Sequence, residues 1–263
     1  MTEEELASLL EKTSRTFALA IPLLDPPLAR RVGLAYLLFR IADTLEDAEL
    51  WDRGQRLVAL RSFEQWLGGG RGEWKHMPPP TTDAGCIELL DRADAVLAEV
   101  PDTERGHVAR TARGMAEFVA RQDDQGRITL DTVEDLRKYC YVVAGIVGEM
   151  LTELFGVAPA LWEEGKTFGE ALQLVNILKD APRDARQGRI YLPPAVPREE
   201  IVALARADLQ VAERYVEGLR AHHASSGTIA FCTLPVRLAT ASLDHKLTRD
   251  ETLAIYREVI ASR

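Results

Sequence analysis

The sequence predicts an all-α protein. Apolar residues recur at three- and four-residue steps along most of the 263 residues, as they do on the buried face of a helix. The segment Leu28–Ala42 shows this spacing, and convincing period-two alternation is absent, so no β-sheet is needed. We therefore expect about ten helices, packed as a single domain over residues 1–263.

The same spacing predicts the helices that follow. They cover Leu57–Leu67, Ile87–Leu97, Val108–Val119, Val133–Phe155, Phe168–Leu178, Ile201–Leu219, Ile229–Leu243 and Leu253–Ile260. A glycine triplet and a proline triplet between Trp66 and Ile87 predict a surface loop, and a second irregular stretch begins near Arg183. No repeat or linker divides the chain, which favours one domain.

Composition excludes several classes of protein. With 32 basic and 41 acidic side chains the net charge is −9, which argues against nucleic-acid binding. Three scattered cysteines do not make a disulfide framework or a zinc site. The acidic N-terminus lacks the features of a signal peptide, and no apolar stretch reaches the length of a membrane span. These features predict a soluble cytoplasmic protein.

The first candidate site is an acidic cluster at the end of a predicted helix. Asp43 and Asp47 stand four residues apart and share a helix face with Tyr36 and Arg40. Two carboxylates about 5 Å apart repel by a few kcal/mol, and a hard divalent cation would remove that cost. The alternative is an exposed acidic helix end.

A second acidic cluster ends another apolar helix. Asn176, Asp180 and Asp184 are spaced four and four. Pro182 lacks an amide hydrogen and crowds the carbonyl of Leu178, so we expect the helix to end or kink there. Carboxylates near a helix C-terminus also oppose the macrodipole. Two such clusters on separate helices favour metal binding.

Basic groups and small residues accompany the acids. Arginines and a lysine near both clusters would suit magnesium with phosphate oxygens, although surface ion pairing is the alternative for each one taken alone. Within the apolar segment Tyr139–Gly148, small residues stand at Ala144, Gly145 and Gly148. Either another helix packs closely there or a bulky apolar molecule lies against this face.

Together these segments resemble the squalene/phytoene synthase family, whose members join two prenyl diphosphates head to head. Ser14-Arg15-Thr16-Phe17 resembles the substrate-flap motif of that family. Residues 36–47, which end in Asp-Thr-Leu-Glu-Asp, resemble its first aspartate-rich motif, and residues 172–193 resemble the second. The resemblance covers nearly the whole chain in order. It implies an isoprenoid-synthase helical bundle with a central cavity.

Within the family the chain is most similar to bacterial squalene synthases. Gly114–Phe118, Tyr139–Gly148 and Phe231–Pro235 favour that branch, whereas Gly188–Pro193 is more similar to phytoene synthases. One position departs from the pattern. Many squalene synthases have a tyrosine immediately before Val-Ala-Gly, and here the residue is Val142.

The resemblance also implies the site residues. The catalytic set is Tyr36, Arg40, Asp43, Asp47, Asp180 and Asp184. The substrate-binding set is Ser14, Arg15, Phe17, Tyr139, Val142, Ala144, Gly145, Gly148, Gln173, Asn176, Lys179 and Arg189. About three Mg²⁺ ions are implied, as in other sites where carboxylates share magnesium with substrate phosphates. Their ligands are Asp43, Asp47, Asn176, Asp180 and Asp184.

The implied reaction condenses two farnesyl diphosphates through presqualene diphosphate to squalene, with NADPH as the reductant. Phytoene or dehydrosqualene synthesis without NADPH is an alternative, as is release of presqualene diphosphate or hydroxysqualene. The implied protein is a monomer with peripheral membrane association and no nucleic-acid partner. Two other classes stay open: a metal-dependent phosphohydrolase, which needs no long apolar lining, and a non-catalytic scaffold, which has little reason to keep four aspartates.

Overall fold

The computed structural model describes residues 1–14 and 16–262, and most of them are helical. The all-α prediction is confirmed. The chain divides into two compact units. The first comprises Met1–Ile21 and Pro26–Gly126, and the second comprises Pro22–Asp25 and Arg127–Arg263. A short 3-10 turn, Ile21–Leu23, lies where the chain passes between them.

The first unit is built around a long helix, α3, whose central apolar side chains are fully buried. Its helices are α1 Glu3–Thr13, α2 Phe17–Ala20, α3 Pro26–Glu46, α4 Arg53–Leu67, α5 Ala84–Asp91, α6 Ala93–Leu97 and α7 Asp102–Ala120, with a 3-10 turn at Glu73–His76. Capping boxes start α1 at Thr2 and α4 at Asp52. α3 and α4 both pack against α7.

The second unit is built around α10, which packs against α9, α11 and α12. Its elements are β1 Ile128–Thr129, α8 Val133–Cys140, a π-turn Tyr141–Gly145, α9 Ile146–Leu154, α10 Trp162–Arg186, β2 Arg189–Ile190, α11 Arg198–Ala221, α12 Ser226–Asp244 and α13 Arg249–Ala261. Ser225 and Thr248 cap α12 and α13 through their side-chain oxygens.

A short parallel strand pair corrects the expectation that the fold has no sheet. Ile128 of β1 pairs with Arg189 of β2, and Thr129 pairs with Ile190. Each strand has two residues. A strand this short cannot show a period-two pattern, so the sequence carries no signal for it.

The helix predicted over Val133–Phe155 is interrupted. Across Tyr141–Gly145 the backbone forms a π-turn, in which the amide of Ile146 donates to the carbonyl of Tyr141, five residues back. Apolar spacing does not separate this turn from the α-helices on either side. π-turns occur frequently at functional sites, and this one contains three predicted substrate-binding residues: Val142, Ala144 and Gly145.

Of the two outcomes expected at Pro182, an end or a kink, the end does not occur: α10 continues to Arg186. The proline cannot donate to the Leu178 carbonyl, and the guanidinium of Arg198 replaces it, with Nη2 2.9 Å from that oxygen. Because the carbonyl is satisfied, the helix continues past the proline. Asp184 therefore lies one helical turn after Asp180.

Glycines bring α9 and the π-turn into backbone contact with α10. A Cβ on Gly148 would lie 1.9 Å from the carbonyl oxygen of Gly165, and a Cβ on Gly169 would lie 2.0 Å from that of Ala144. Real Cβ atoms do not approach backbone oxygens so closely. Of the two explanations that the sequence left open for its small residues, close helix packing therefore describes Gly148.

Within the described ranges 1–14 and 16–262, no helix has both the length and the apolar content that crossing a membrane requires.

Gly148→Ala should destabilise the second unit severely. The added methyl group meets the rigid backbone of α10, so we expect a loss of about 3 kcal/mol in the free energy of unfolding. The matched control is Gly106→Ala, because a Cβ on this α7 glycine meets nothing within 4 Å and should stabilise by up to about 1 kcal/mol. Denaturant unfolding measures both variants. Equal effects would contradict the close packing.

Candidate active site

One face of α3 presents the first group of predicted site residues. Tyr36, Arg40, Asp43 and Asp47 lie at steps of four, three and four residues, so they follow one helical stripe. α3 ends at Glu46, and the Asp47 amide still donates to the Asp43 carbonyl at 2.8 Å. The last hydrogen bond of the helix thus keeps both carboxylates on the same side.

Arg40 is held between an acid and a thiol. Its Nη1 lies 3.8 Å from Oδ2 of Asp43, and its Nη2 donates to Sγ of Cys86 at 3.7 Å. The Nε atom is buried and has no hydrogen-bond partner. Cys86 stands in α5, and no sequence pattern pointed to it because its link to Arg40 spans 46 residues. The contacts aim one guanidinium beside the aspartate pair.

The surroundings of the Asp43 carboxyl disfavour its ionised form. Burial raises its pKa to about 7; the Arg40 charge opposes this rise, and repulsion from Asp47 adds to it. The side chain nevertheless keeps 42% of its surface exposed, so an ion can reach it. Desolvation comes from the protein atoms around the carboxyl, and the open side faces solvent. A bound divalent cation would favour the ionised form.

The N-terminal flap residues contact α3. The Phe17 amide donates to Oγ of Ser14 at 3.0 Å, and the rings of Phe17 and Tyr36 are 5.2 Å apart. Burial raises the pKa of the Tyr36 phenol, which also hydrogen-bonds Ser14. The structure thus brings three predicted residues together. Arg15, also predicted for substrate binding, lies outside the described residues.

The second group of predicted residues lies on α10. Asn176, Asp180 and Asp184 lie at successive helical turns, which is possible because the helix passes through its proline. Lys179 donates to Oδ1 of Asn176 at 3.0 Å, and Nε of Arg183 lies 3.6 Å from Oδ1 of Asp184. Asp180 is half-buried, and Asp184 is buried. Arg183 is therefore the cation beside Asp184, and Lys179 is held by Asn176.

Gln173 lies half-buried on α10 before these acids, and Arg189 lies half-buried on β2 after them. The structure adds a contact of Tyr191, which lies within the second predicted motif but was not among the predicted site residues. Its ring stacks on that of Tyr139, with centroids 4.6 Å apart, and its hydroxyl accepts a hydrogen bond from Tyr139 at 3.3 Å. Both side chains are buried. β2 positions Tyr191, and this short strand left no sequence signal.

The chemistry of the donors fits magnesium. The side chains that the sequence selected offer carboxylate and amide oxygens, which a hard cation prefers. Among the described residues, no three His, Cys, Asp or Glu side chains form a group that could by itself hold a metal ion. Mg²⁺ usually binds through one or two carboxylates and completes its shell with water and substrate phosphates. The aspartate pairs suit that kind of shared site.

Comparison with known proteins gives a consistent result. A model of the squalene/phytoene synthase family matches residues 10–200. The probable squalene synthase of Neurospora crassa is 31% identical over 74% of this chain and 43% of its own length. The 15-cis-phytoene synthase of Enterobacter agglomerans is 30% identical over 88% of this chain and 78% of its own length.

A ligand-bound structure of the protein TcSQS matches 97% of this chain and 85% of its own, with a TM-score of 0.82 and 23% identity. At that identity the likeness shows the fold, and it confirms the predicted all-α isoprenoid-synthase class. The chain spans less than half the length of the squalene synthases it matches from Neurospora crassa and Eremothecium gossypii.

The two neighbours of Asp43 should move its pKa in opposite directions. In metal-free protein, Arg40→Met should raise the pKa above about 7, because it removes an attraction, and Asp47→Asn should lower it, because it removes a repulsion. Carboxyl-carbon NMR titration of labelled aspartates measures each value. Shifts of the same sign in both variants would contradict the assigned causes.

Proposed function

Because the chain belongs to the squalene/phytoene synthase family, we propose that it joins two farnesyl diphosphates head to head to make squalene. The observation that carries the proposal is the stripe on α3 where Arg40 accompanies Asp43 and Asp47. A second stripe lies on α10, where Arg183 accompanies Asp184 and Lys179 donates to Asn176. A diphosphate group binds to an acidic protein only with the help of cations, and both stripes can bind cations.

The carboxylates are proposed to hold Mg²⁺ together with the diphosphate oxygens. When bound, the metal supplies Lewis-acid stabilisation of the departing diphosphate. The proposed ligands in the first unit are Asp43 and Asp47, and those in the second unit are Asp180 and Asp184, with Asn176 as a further oxygen donor. The carboxyl of Asp43 gives up its proton on binding, because only the carboxylate is a strong ligand.

The cationic side chains bind the diphosphate directly. Arg40 is held by Asp43 and Cys86, so its orientation is set before substrate arrives. Lys179 and Arg189 are proposed to bind phosphate oxygens at the second stripe. Planar guanidinium groups suit this task because they can donate two hydrogen bonds to one phosphate.

The aromatic and apolar side chains surround the carbocation formed when diphosphate leaves. The faces of Phe17 and Tyr36, which lie against each other on the flap and α3, stabilise positive charge and exclude water. The second farnesyl chain attacks through its double bond and loses a proton, which gives presqualene diphosphate. Loss of the remaining diphosphate, rearrangement of the resulting carbocation and hydride transfer from NADPH, a co-substrate, then give squalene, diphosphate and NADP⁺.

Val142 bears on the choice of product. A phenol is absent at this position, so the proton must leave through another base. The released diphosphate can accept it, because a base within about 3 Å of the proton suffices. The alternative products are phytoene, dehydrosqualene and hydroxysqualene. The similarity to a phytoene synthase over 88% of the chain supports phytoene as one alternative.

The prenyl substrates partition into membranes, so we propose a cytoplasmic monomer that associates peripherally with the bilayer surface. We propose no nucleic-acid partner, because the chain has a net charge of −9 and would be repelled by phosphate backbones.

Replacing one acid of either stripe should abolish most activity. Asp43→Ala and Asp180→Ala should each lower kcat at least about a hundredfold at saturating Mg²⁺, the scale of losing one transition-state charge stabiliser. Asp94→Asn is the matched control, since Asp94 is an exposed acid paired with Lys75, and it should retain full activity. Near-normal turnover of both alanine variants would contradict the site.

The product identifies the branch of the family. With farnesyl diphosphate, Mg²⁺ and NADPH the main product should be squalene, and without NADPH the reaction should stop at presqualene diphosphate or divert to dehydrosqualene or an alcohol. Radiolabelled substrate and chromatographic identification of the products measure this. Clean phytoene from geranylgeranyl diphosphate, with no response to NADPH, would favour the alternative product. No coupled product from either substrate would favour a phosphohydrolase or a non-catalytic protein.

A further inference from the structure

An ion cluster joins three helices of the second unit, and none of the roles above uses it. Arg137 on α8 donates two hydrogen bonds to Asp208 on α11, Nη1 to Oδ2 at 2.8 Å and Nη2 to Oδ1 at 3.0 Å. The same Nη1 lies 3.6 Å from Oε2 of Glu170 on α10. The Asp208 and Glu170 side chains are only 8% and 11% exposed.

This cluster fixes the positions of its side chains more than it stabilises the folded protein. A largely buried ion pair can often be replaced by apolar residues at no cost in stability. The bidentate contact between Arg137 and Asp208, however, fixes the direction of the guanidinium. A lysine could not make this bidentate contact. Burial raises the pKa of Glu170, and the Arg137 charge opposes that rise. One guanidinium therefore orients two carboxylates on different helices.

Glu170 in turn lies against the π-turn. A Cβ on Gly145 would lie 3.1 Å from Cγ and 3.2 Å from Oε1 of Glu170, and 2.8 Å from the ring of Tyr141. Gly145 is thus enclosed between the Glu170 side chain and the Tyr141 ring. Next to it, the Ala144 carbonyl lies against Gly169 of α10. The Glu170 side chain therefore packs directly against the π-turn.

We propose that Arg137 is a positioning residue. Acting through Glu170, it fixes the π-turn Tyr141–Gly145 against α10, the helix that carries Gln173 and the second aspartate pair. The inference rests on the proposed function, because it concerns the segments assigned there to substrate binding. A cluster that only stabilised the fold would instead protect all parts of the second unit alike.

The test compares Arg137→Lys and Asp208→Asn with a matched control. Arg137→Lys keeps the charge and loses the bidentate geometry, and Asp208→Asn keeps a hydrogen-bond acceptor and loses the charge. Arg206→Lys is the control, because Arg206 also lies on α11 and makes an exposed ion pair with Asp244. Hydrogen–deuterium exchange of the full chain and steady-state kinetics with farnesyl diphosphate are measured on all three, well below their Tm.

In both cluster variants, amide exchange should rise within residues 133–154 and stay at the wild-type level elsewhere. Because small displacements near reacting groups cost up to about a hundredfold, kcat should fall between about tenfold and about a hundredfold, and KM should change less than about twofold. The Arg206→Lys control should match wild type in both measurements.

Three results would overturn the inference. The first is wild-type exchange in both cluster variants. The second is exchange that rises uniformly along the chain, with kcat per folded molecule unchanged. The third is a local rise in exchange with unchanged kcat. If wild-type protein forms no coupled product while exchange rises locally in the variants, the proposed function fails, and the link between Arg137 and the π-turn stands.

Discussion

Carboxylates concentrated near the C-terminal ends of two long helices are the constraint that organises this protein. Asp43 and Asp47 end α3, and Asp180 and Asp184 end α10, where the helix dipole already presents negative charge. Burial, with repulsion from Asp47, raises the pKa of Asp43 to about 7. Such an arrangement is favourable only when cations are supplied, and the neighbouring arginines and lysine supply part of that charge.

The packing of the second unit serves the same arrangement. α10 must stay helical through Pro182 if Asp184 is to follow Asp180 by one turn, and Arg198 makes this possible by occupying the Leu178 carbonyl. On another face of the same helix, glycines let α9 and the π-turn approach the α10 backbone. The helix that carries the acids is therefore held along its length by these contacts.

Sequence reasoning predicted what depends on local pattern. Three- and four-residue spacing identified the long helices, and spacings of four identified the aspartates. It missed features that depend on partners far along the chain. The residues around Pro182 do not indicate that Arg198 binds the Leu178 carbonyl, and those around Arg40 do not indicate its contact with Cys86. Two-residue strands have no periodicity. The π-turn was also missed, because it differs from an α-helix by one hydrogen-bond step rather than by composition.

We propose that the aspartates bind diphosphate only together with a divalent cation. Calorimetric titration of the full chain with inorganic diphosphate, in the presence and absence of Mg²⁺, tests it without depending on product chemistry. We expect measurable binding with Mg²⁺ and none without it, because acidic side chains repel the bare anion. Equal binding in both conditions, or no binding in either, would contradict it.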